Sequence, residues 1–130
     1  MMATSKLDTA QAARALVTKE LEKRGYAVAH NPAPRHLAVE SPKNKVRFYV
    51  HVKGNKKAYP WWAAEVPEEG SLFCILVVVE DHRYFVLRSA EFNQLIRGYR
   101  QEHPNQQGSG FKWSDSVPFE DRWDKLPACG

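Results

Sequence analysis

The chain has 130 residues, 43% of them hydrophobic and 26% charged, which suits one domain with a buried core. Its longest apolar run, Leu72–Val79, has eight residues, far short of the roughly 20 that span a bilayer. The N-terminal segment lacks the apolar core of a secretory signal, and two cysteines do not make a disulfide framework. These features argue against a membrane protein and a disulfide-rich secreted domain. They predict a single cytoplasmic domain over residues 1–130, with residues 1–7 and 127–130 as flexible ends.

The net charge of +4 is unevenly distributed along the chain. Residues 1–60 hold 12 Lys and Arg against 4 Asp and Glu, a balance of +8, whereas residues 61–130 hold 7 against 11, a balance of −4. A basic half suits a polyanionic partner such as nucleic acid, although an ordinary solvated surface has the same composition.

The first element is predicted to be a helix over Thr9–Arg24 that Asp8 caps and Gly25 ends. Four apolar residues at helical spacing form its buried stripe: Ala13, Leu16, Val17 and Leu21.

Three further segments predict strands. Tyr26–His30 is short, Leu72–Glu80 is nearly all apolar and therefore fits a central strand buried on both faces, and Tyr84–Arg88 follows a turn. The segment Trp61–Ser71 is predicted to be irregular or briefly helical.

The second helix is predicted to begin at a Ser89 cap and to run to about Glu102, because Pro104 prevents its continuation. The aromatic tail Phe111–Leu126 is expected to dock on the body. The predicted order is α-β-β-β-β-β-α, an α/β domain with a central mixed five-stranded sheet flanked by helices.

The most informative segment is His36–Gly54, which alternates apolar and polar residues on both sides of an SPKN turn. A hairpin centred near Lys43 and Asn44 would set Glu40 opposite Arg47 and His36 opposite His51. One face of the sheet would then carry the polar set Glu40, Arg47, Tyr49, His36, His51 and Lys53.

Several segments in order resemble the small bacterial branch of the PD-(D/E)XK proteins, the restriction-endonuclease-like family. They are ELEKRGYAV, HLAVESPKNKV, VHVKG, the long stretch from AYPWW to RSAEF, and the tail FEDRWDKL. The resemblance covers most of residues 11–126. It implies the family's fold and a site at the end of the hairpin.

The resemblance also implies what each position of that site would do. Lys53 stands at the family's lysine, which orients or deprotonates a water molecule. The resemblance implies that the metal-binding acids are replaced, because His51 falls on the Glu/Gln position, His36 on the Asp position and Arg14 on a helix Glu position. Family chemistry needs those acids, since Mg²⁺ prefers oxygen ligands.

Metal binding is therefore not expected, and no cofactor is predicted unless the site is an active nuclease that uses Mg²⁺. The remaining candidate ligands are Glu40, which is expected to pair with Arg47, and the imidazoles of His36 and His51, which suit a softer ion such as Zn²⁺.

A basic rim is predicted beside this site. Arg35, Arg47, Lys56 and Lys57 are candidates to contact backbone phosphates, with an ordinary charged loop as the alternative. One of the adjacent Trp61 and Trp62 is expected in the core and the other at a surface, and Trp62 is the candidate to stack on a base.

The leading interpretation is a catalytically degenerate nuclease-like domain that binds nucleic acid or a regulatory protein. One alternative is an active metal-dependent nuclease whose acids lie one residue out of the assumed register. A second alternative is an inhibitor or immunity-type module that binds a protein. No membrane partner is expected, and the sequence leaves the oligomeric state open.

Overall fold

A computed structural model describes residues 6–29, 36–43, 45–58, 60–63, 71–105 and 110–127. Its strands are β1 Ala27–Ala29, β2 His36–Glu40, β3 Arg47–Asn55, β4 Trp61–Ala63, β5 Ser71–Val78, β6 Arg83–Arg88 and β7 Gly110–Lys112. Its helices are α1 Lys6–Lys23, α2 Ser89–Glu102 and α3 Trp113–Ser116, and two 3₁₀ turns follow at Val117–Phe119 and Trp123–Lys125.

The main sheet has five strands in the order β1-β2-β3-β5-β6. Only β3 and β5 run parallel, and the other neighbours are antiparallel. With α1 before the sheet and α2 after β6, this is the mixed five-stranded α/β architecture predicted from the sequence.

The predicted hairpin register is confirmed residue by residue. His36 lies opposite His51, Ala38 opposite Tyr49 and Glu40 opposite Arg47. The apolar residues that alternate with this set are buried on the other face: Leu37, Val39, Phe48, Val50 and Val52.

The first face of the sheet packs on α1 through Ala13, Val17 and Leu21, which have no exposed surface. The helix ends in a Schellman motif, in which Gly25 takes a left-handed φ of +97°. The Tyr26 amide donates to the Leu21 carbonyl and the Gly25 amide donates to the Glu22 carbonyl. This turn leads the chain directly into β1.

The second face packs on α2 and on a two-stranded sheet made by β4 and β7. As predicted, β5 is buried on both faces, since its residues alternate between the two core clusters. The docked tail is also confirmed, with Trp123 and Leu126 buried against the first core.

Three sequence predictions need correction. Residues 61–63 form a strand rather than an irregular or helical segment, because they pair with β7, which lies far along the chain. Helix α1 includes residues 6 and 7, so Asp8 is within the helix and is not its cap. Residues 1–5 and 128–130 lie outside the described part.

The start of α2 is the remaining correction. Ser89 is the first helical residue, and the extended residue before it is Arg88. The Arg88 amide donates to the Glu91 carboxylate over 2.8 Å, so Glu91 rather than Ser89 satisfies the exposed amide at this end.

The tail is attached to β6 by charge and by backbone. Arg83 donates two hydrogen bonds of 2.8 Å to the Glu120 carboxylate, and its guanidinium lies 4.9 Å from the centre of the Trp113 ring. The Asp121 amide donates to the Tyr84 carbonyl. The hydrogen bonds from Arg83 hold the pKa of Glu120 below its ordinary value of 4.5.

We expect Glu120→Gln to destabilise the fold in a pH-dependent way. Because the folded pKa is lowered, the stabilisation is present above pH 4.5 and is lost as the pH falls through the folded value. Both side chains are partly exposed, so the loss at pH 7 should be only about 0.5–1 kcal/mol. Thermal unfolding at neutral and acid pH measures it, with the exposed Glu22→Gln as control. A difference that persists undiminished at acid pH would contradict the assignment.

Helix α1 and strand β3 approach each other most closely at Gly54. A Cβ atom placed there would lie 2.6 Å from the Ala13 Cβ and 3.3 Å from the Thr9 carbonyl oxygen. Neither atom is the end of a flexible side chain, so the helix itself would have to move.

We therefore expect Gly54→Ala to lower the free energy of unfolding by roughly 1–3 kcal/mol, the usual cost of overpacking. Gly98→Ala is the matched control, since nothing lies within 4 Å of its Cβ position and it is inside α2. The control should gain about 0.5–1 kcal/mol from helix propensity. Denaturant unfolding compares the two, and equal effects would refute the close contact.

Candidate functional site

The predicted polar set lies on the second face of the β2–β3 hairpin, as its alternation requires. Successive members on β3 are Arg47, Tyr49, His51 and Lys53. The backbone of β3 continues two residues past Lys53 and remains paired with β5 as far as Asn55.

Lys53 lies in a part of β3 that is held from both sides. It is half-buried, and in the parallel register it stands beside Leu76 of β5. On one side, the backbone of the following residue, Gly54, lies against α1. On the other side, Phe92 of α2 contacts the ring of His51, which lies two residues before the lysine. The lysine position that the resemblance identified therefore lies in a strand that is packed on both faces.

His51 is largely covered by α2. Only 4% of its surface is exposed, and its ring meets the Phe92 ring edge-on with centroids 6.3 Å apart. This packing leaves little of the imidazole open to a ligand. His36 pairs with His51 through the backbone, and its side chain lies outside the described part.

Cys74 is next to His51 in the parallel register of β5, so the two could have formed a cysteine–histidine pair. Burial raises the pKa of the Cys74 thiol to about 12, even though the Ser89 hydroxyl lies within contact distance of its sulfur. A thiol that stays protonated is not a nucleophile, which argues against cysteine-based catalysis at this position.

Glu40 is too far along the hairpin to complete a site at Lys53. Its carboxylate accepts a hydrogen bond of 3.1 Å from Arg47, the residue opposite it. Lys53 lies six positions beyond Arg47 on β3, about 20 Å of extended chain. The predicted Glu40–Arg47 pair is thus confirmed, and Glu40 does not reach the lysine.

The described residues do not fit a magnesium ion. They contain no group of three or more His, Cys, Asp and Glu side chains placed to share a metal. On α1, where the resemblance expects a carboxylate, Arg14 has a buried Nε atom that bonds to no other described residue. A guanidinium at that position opposes a cation instead of holding one.

The basic residues of the predicted rim are at the surface. The Arg47 side chain is 86% exposed, and Lys56 and Lys57 are exposed in the loop after β3. The Glu80 amide donates to the Lys56 carbonyl, so the turn after β5 holds the backbone of this loop. Arg35 lies outside the described residues.

Trp62 does not have the role expected from the sequence. It has no exposed surface, stacks on Trp113 at 5.8 Å and donates from its indole nitrogen to the Ser116 hydroxyl. Trp62 therefore has no exposed ring face on which a base could stack. Its burial results from the pairing of β4 with β7, which directs its side chain into the second core. The side chain of Trp61 is outside the described part.

Sequence reasoning missed a groove of about 410 Å³ beside the hairpin. Its residues come from three neighbouring strands: Ala27, Val28, Ala29, Ala38, Val39, Glu40, Arg47, Phe48 and Tyr49. The sequence signal for this groove was the alternation of alanine with valine in β1 and β2, because that pattern predicts one face of the sheet without large side chains.

No family model and no curated protein matches the chain. Among solved structures, the chain is similar to a bacterial homing endonuclease, I-Ssp6803I, with a TM-score of 0.61 and 15% sequence identity. The match covers 93% of this chain and 91% of that one. At this identity the likeness shows the fold alone. It confirms that the arrangement of α1, the five-stranded mixed sheet and α2 is restriction-endonuclease-like.

Among the described residues, no helix combines the length and the apolar character that crossing a membrane requires.

Proposed function

We propose that this chain is a catalytically degenerate, nuclease-like domain that binds nucleic acid on the basic side of the β2–β3 hairpin. The proposal is supported by Lys53, held near the end of β3 in a restriction-endonuclease-like fold, and by the sequence resemblance, which sets cationic or imidazole residues where the family's acids would stand. Such a site can still attract a phosphate.

The fold supports the class of ligand. The structure that this chain matches over most of its length is described as a bacterial homing endonuclease. The charge supports the same class, because residues 36–58 hold six basic residues and one acid, Glu40, which Arg47 neutralises.

The proposed loss of cleavage is supported by the side chains at the expected metal-binding positions. At the positions that the resemblance assigns to oxygen ligands, α1 carries Arg14 and β3 carries the buried His51, and both side chains are poor ligands for hard cations. The second candidate is an active metal-dependent nuclease, which the match to an endonuclease favours. A protein partner, as for an inhibitor or immunity-type module, is the third.

The nuclease candidates are separated by a cleavage assay on plasmid DNA and on RNA with Mg²⁺ or Mn²⁺. We expect no metal-dependent cleavage by the purified chain, and we expect Lys53→Ala to weaken nucleic-acid binding while Lys53→Arg retains it. Cleavage that needs the metal and disappears in Lys53→Ala would overturn the degenerate assignment.

Binding itself is tested by the salt dependence of affinity. Lys56→Ala/Lys57→Ala should weaken binding at low salt and reduce the slope of log K against log salt by about 1–2, because each lost phosphate contact removes about one released counterion. Lys19→Ala/Lys23→Ala is the matched control, since both lysines are exposed on α1, beyond the opposite face of the sheet.

The control pair removes the same charge, so an equal loss in both variants would indicate general attraction rather than a site. Failure of the wild type to bind DNA or RNA at low salt, with one protein co-purifying, would favour the partner role instead.

A further inference from the structure

The second face of the main sheet is covered unevenly. Over β5 and β6 it is buried beneath α2 and the β4–β7 sheet. Over β1, β2 and the first half of β3 it is open, since Ala27 and Ala29 are exposed and 42% of the Tyr49 surface is accessible. The groove of about 410 Å³ lies on this open part.

Two rows of residues cross the open part from strand to strand. Ala29, Ala38 and Tyr49 form one row, and Ala27, Glu40 and Arg47 form the next. Strands lie about 4.8 Å apart, so the floor is about 10 Å wide across three strands. Three of these six side chains are single methyl groups, which lets a flat group approach the sheet closely.

Tyr49 stands at one side of this floor. It is the large apolar side chain of the groove that remains exposed, because the alternate residues Phe48 and Val50 face the first core. An exposed aromatic ring beside a floor of small residues is a suitable stacking surface for a planar ligand.

The charges near the groove favour an anionic ligand. Glu40 in the groove is paired with Arg47, whose side chain is 86% exposed, and the exposed Lys43 and Lys45 at the hairpin turn add positive charge. The same strand leads to Lys53 and the basic loop. A nucleotide within a single strand combines a planar base with a negatively charged backbone, so it matches both the ring and the basic residues.

We propose that this groove receives an unpaired nucleobase of single-stranded nucleic acid, with Tyr49 as the ring on which the base stacks. The inference deepens the proposed function and rests on it, because the basic residues hold the strand's phosphates. Bases within a duplex already stack on each other, so their faces are not available to Tyr49.

A base-free strand gives the sharpest test. Binding of a labelled oligothymidine is compared with binding of an abasic strand of equal length and a duplex of equal charge density, using fluorescence anisotropy at low salt. The wild type should bind oligothymidine about 5- to 150-fold more tightly than the abasic strand, the range expected for one stacked base.

Tyr49→Ala should remove most of that preference, and Tyr49→Phe should keep it because the ring remains. Binding of the abasic strand and of the duplex should change little. Val117→Ala is the matched control, since Val117 is 47% exposed on the tail. Thermal unfolding verifies that each variant is folded.

An unchanged preference in Tyr49→Ala, or an equal loss on duplex, would overturn the inference. If Lys56→Ala/Lys57→Ala weakens binding of both strands while Tyr49→Ala changes neither, the inference fails and the proposed function stands. If the wild type binds no probe at low salt, the proposed function fails and the stacking site fails with it.

Discussion

The packing of α1 against the end of β3 is the contact on which the rest of the molecule depends. At Gly54 the helix lies so close that a single added Cβ would meet both the Ala13 side chain and the helix backbone. This contact sets the height of α1 above the sheet. It also fixes the direction in which the neighbouring Lys53 leaves the strand, because adjacent strand residues point to opposite faces.

Packing from the other side completes the support of this strand. Phe92 of α2 covers His51, and the β4–β7 sheet carries Trp62 into the same core. The strand that carries Lys53 is therefore packed on both of its faces.

Much of the fold was predictable from local patterns. The hairpin register followed from strict alternation on both sides of a turn, since a slip of one residue would have exposed Phe48 and Val50. The burial of β5 followed from its continuous apolar run. By contrast, the β4–β7 sheet was not predicted, because each strand has only three residues and their pairing joins distant parts of the chain. Short non-local strands leave no local periodicity to detect.

The candidate site was likewise predictable from the sequence only in part. The chain by itself determined which residues share a face: Lys53, His51, Tyr49 and Arg47 follow from the period of two in a strand. Tertiary structure decided which of them are accessible. Helix α2 buries His51 and the second sheet buries Trp62, whereas Tyr49, beside the alanines of β1 and β2, keeps 42% of its surface exposed. Alternation states only which face a side chain occupies, and its exposure depends on the elements that distant residues place over that face.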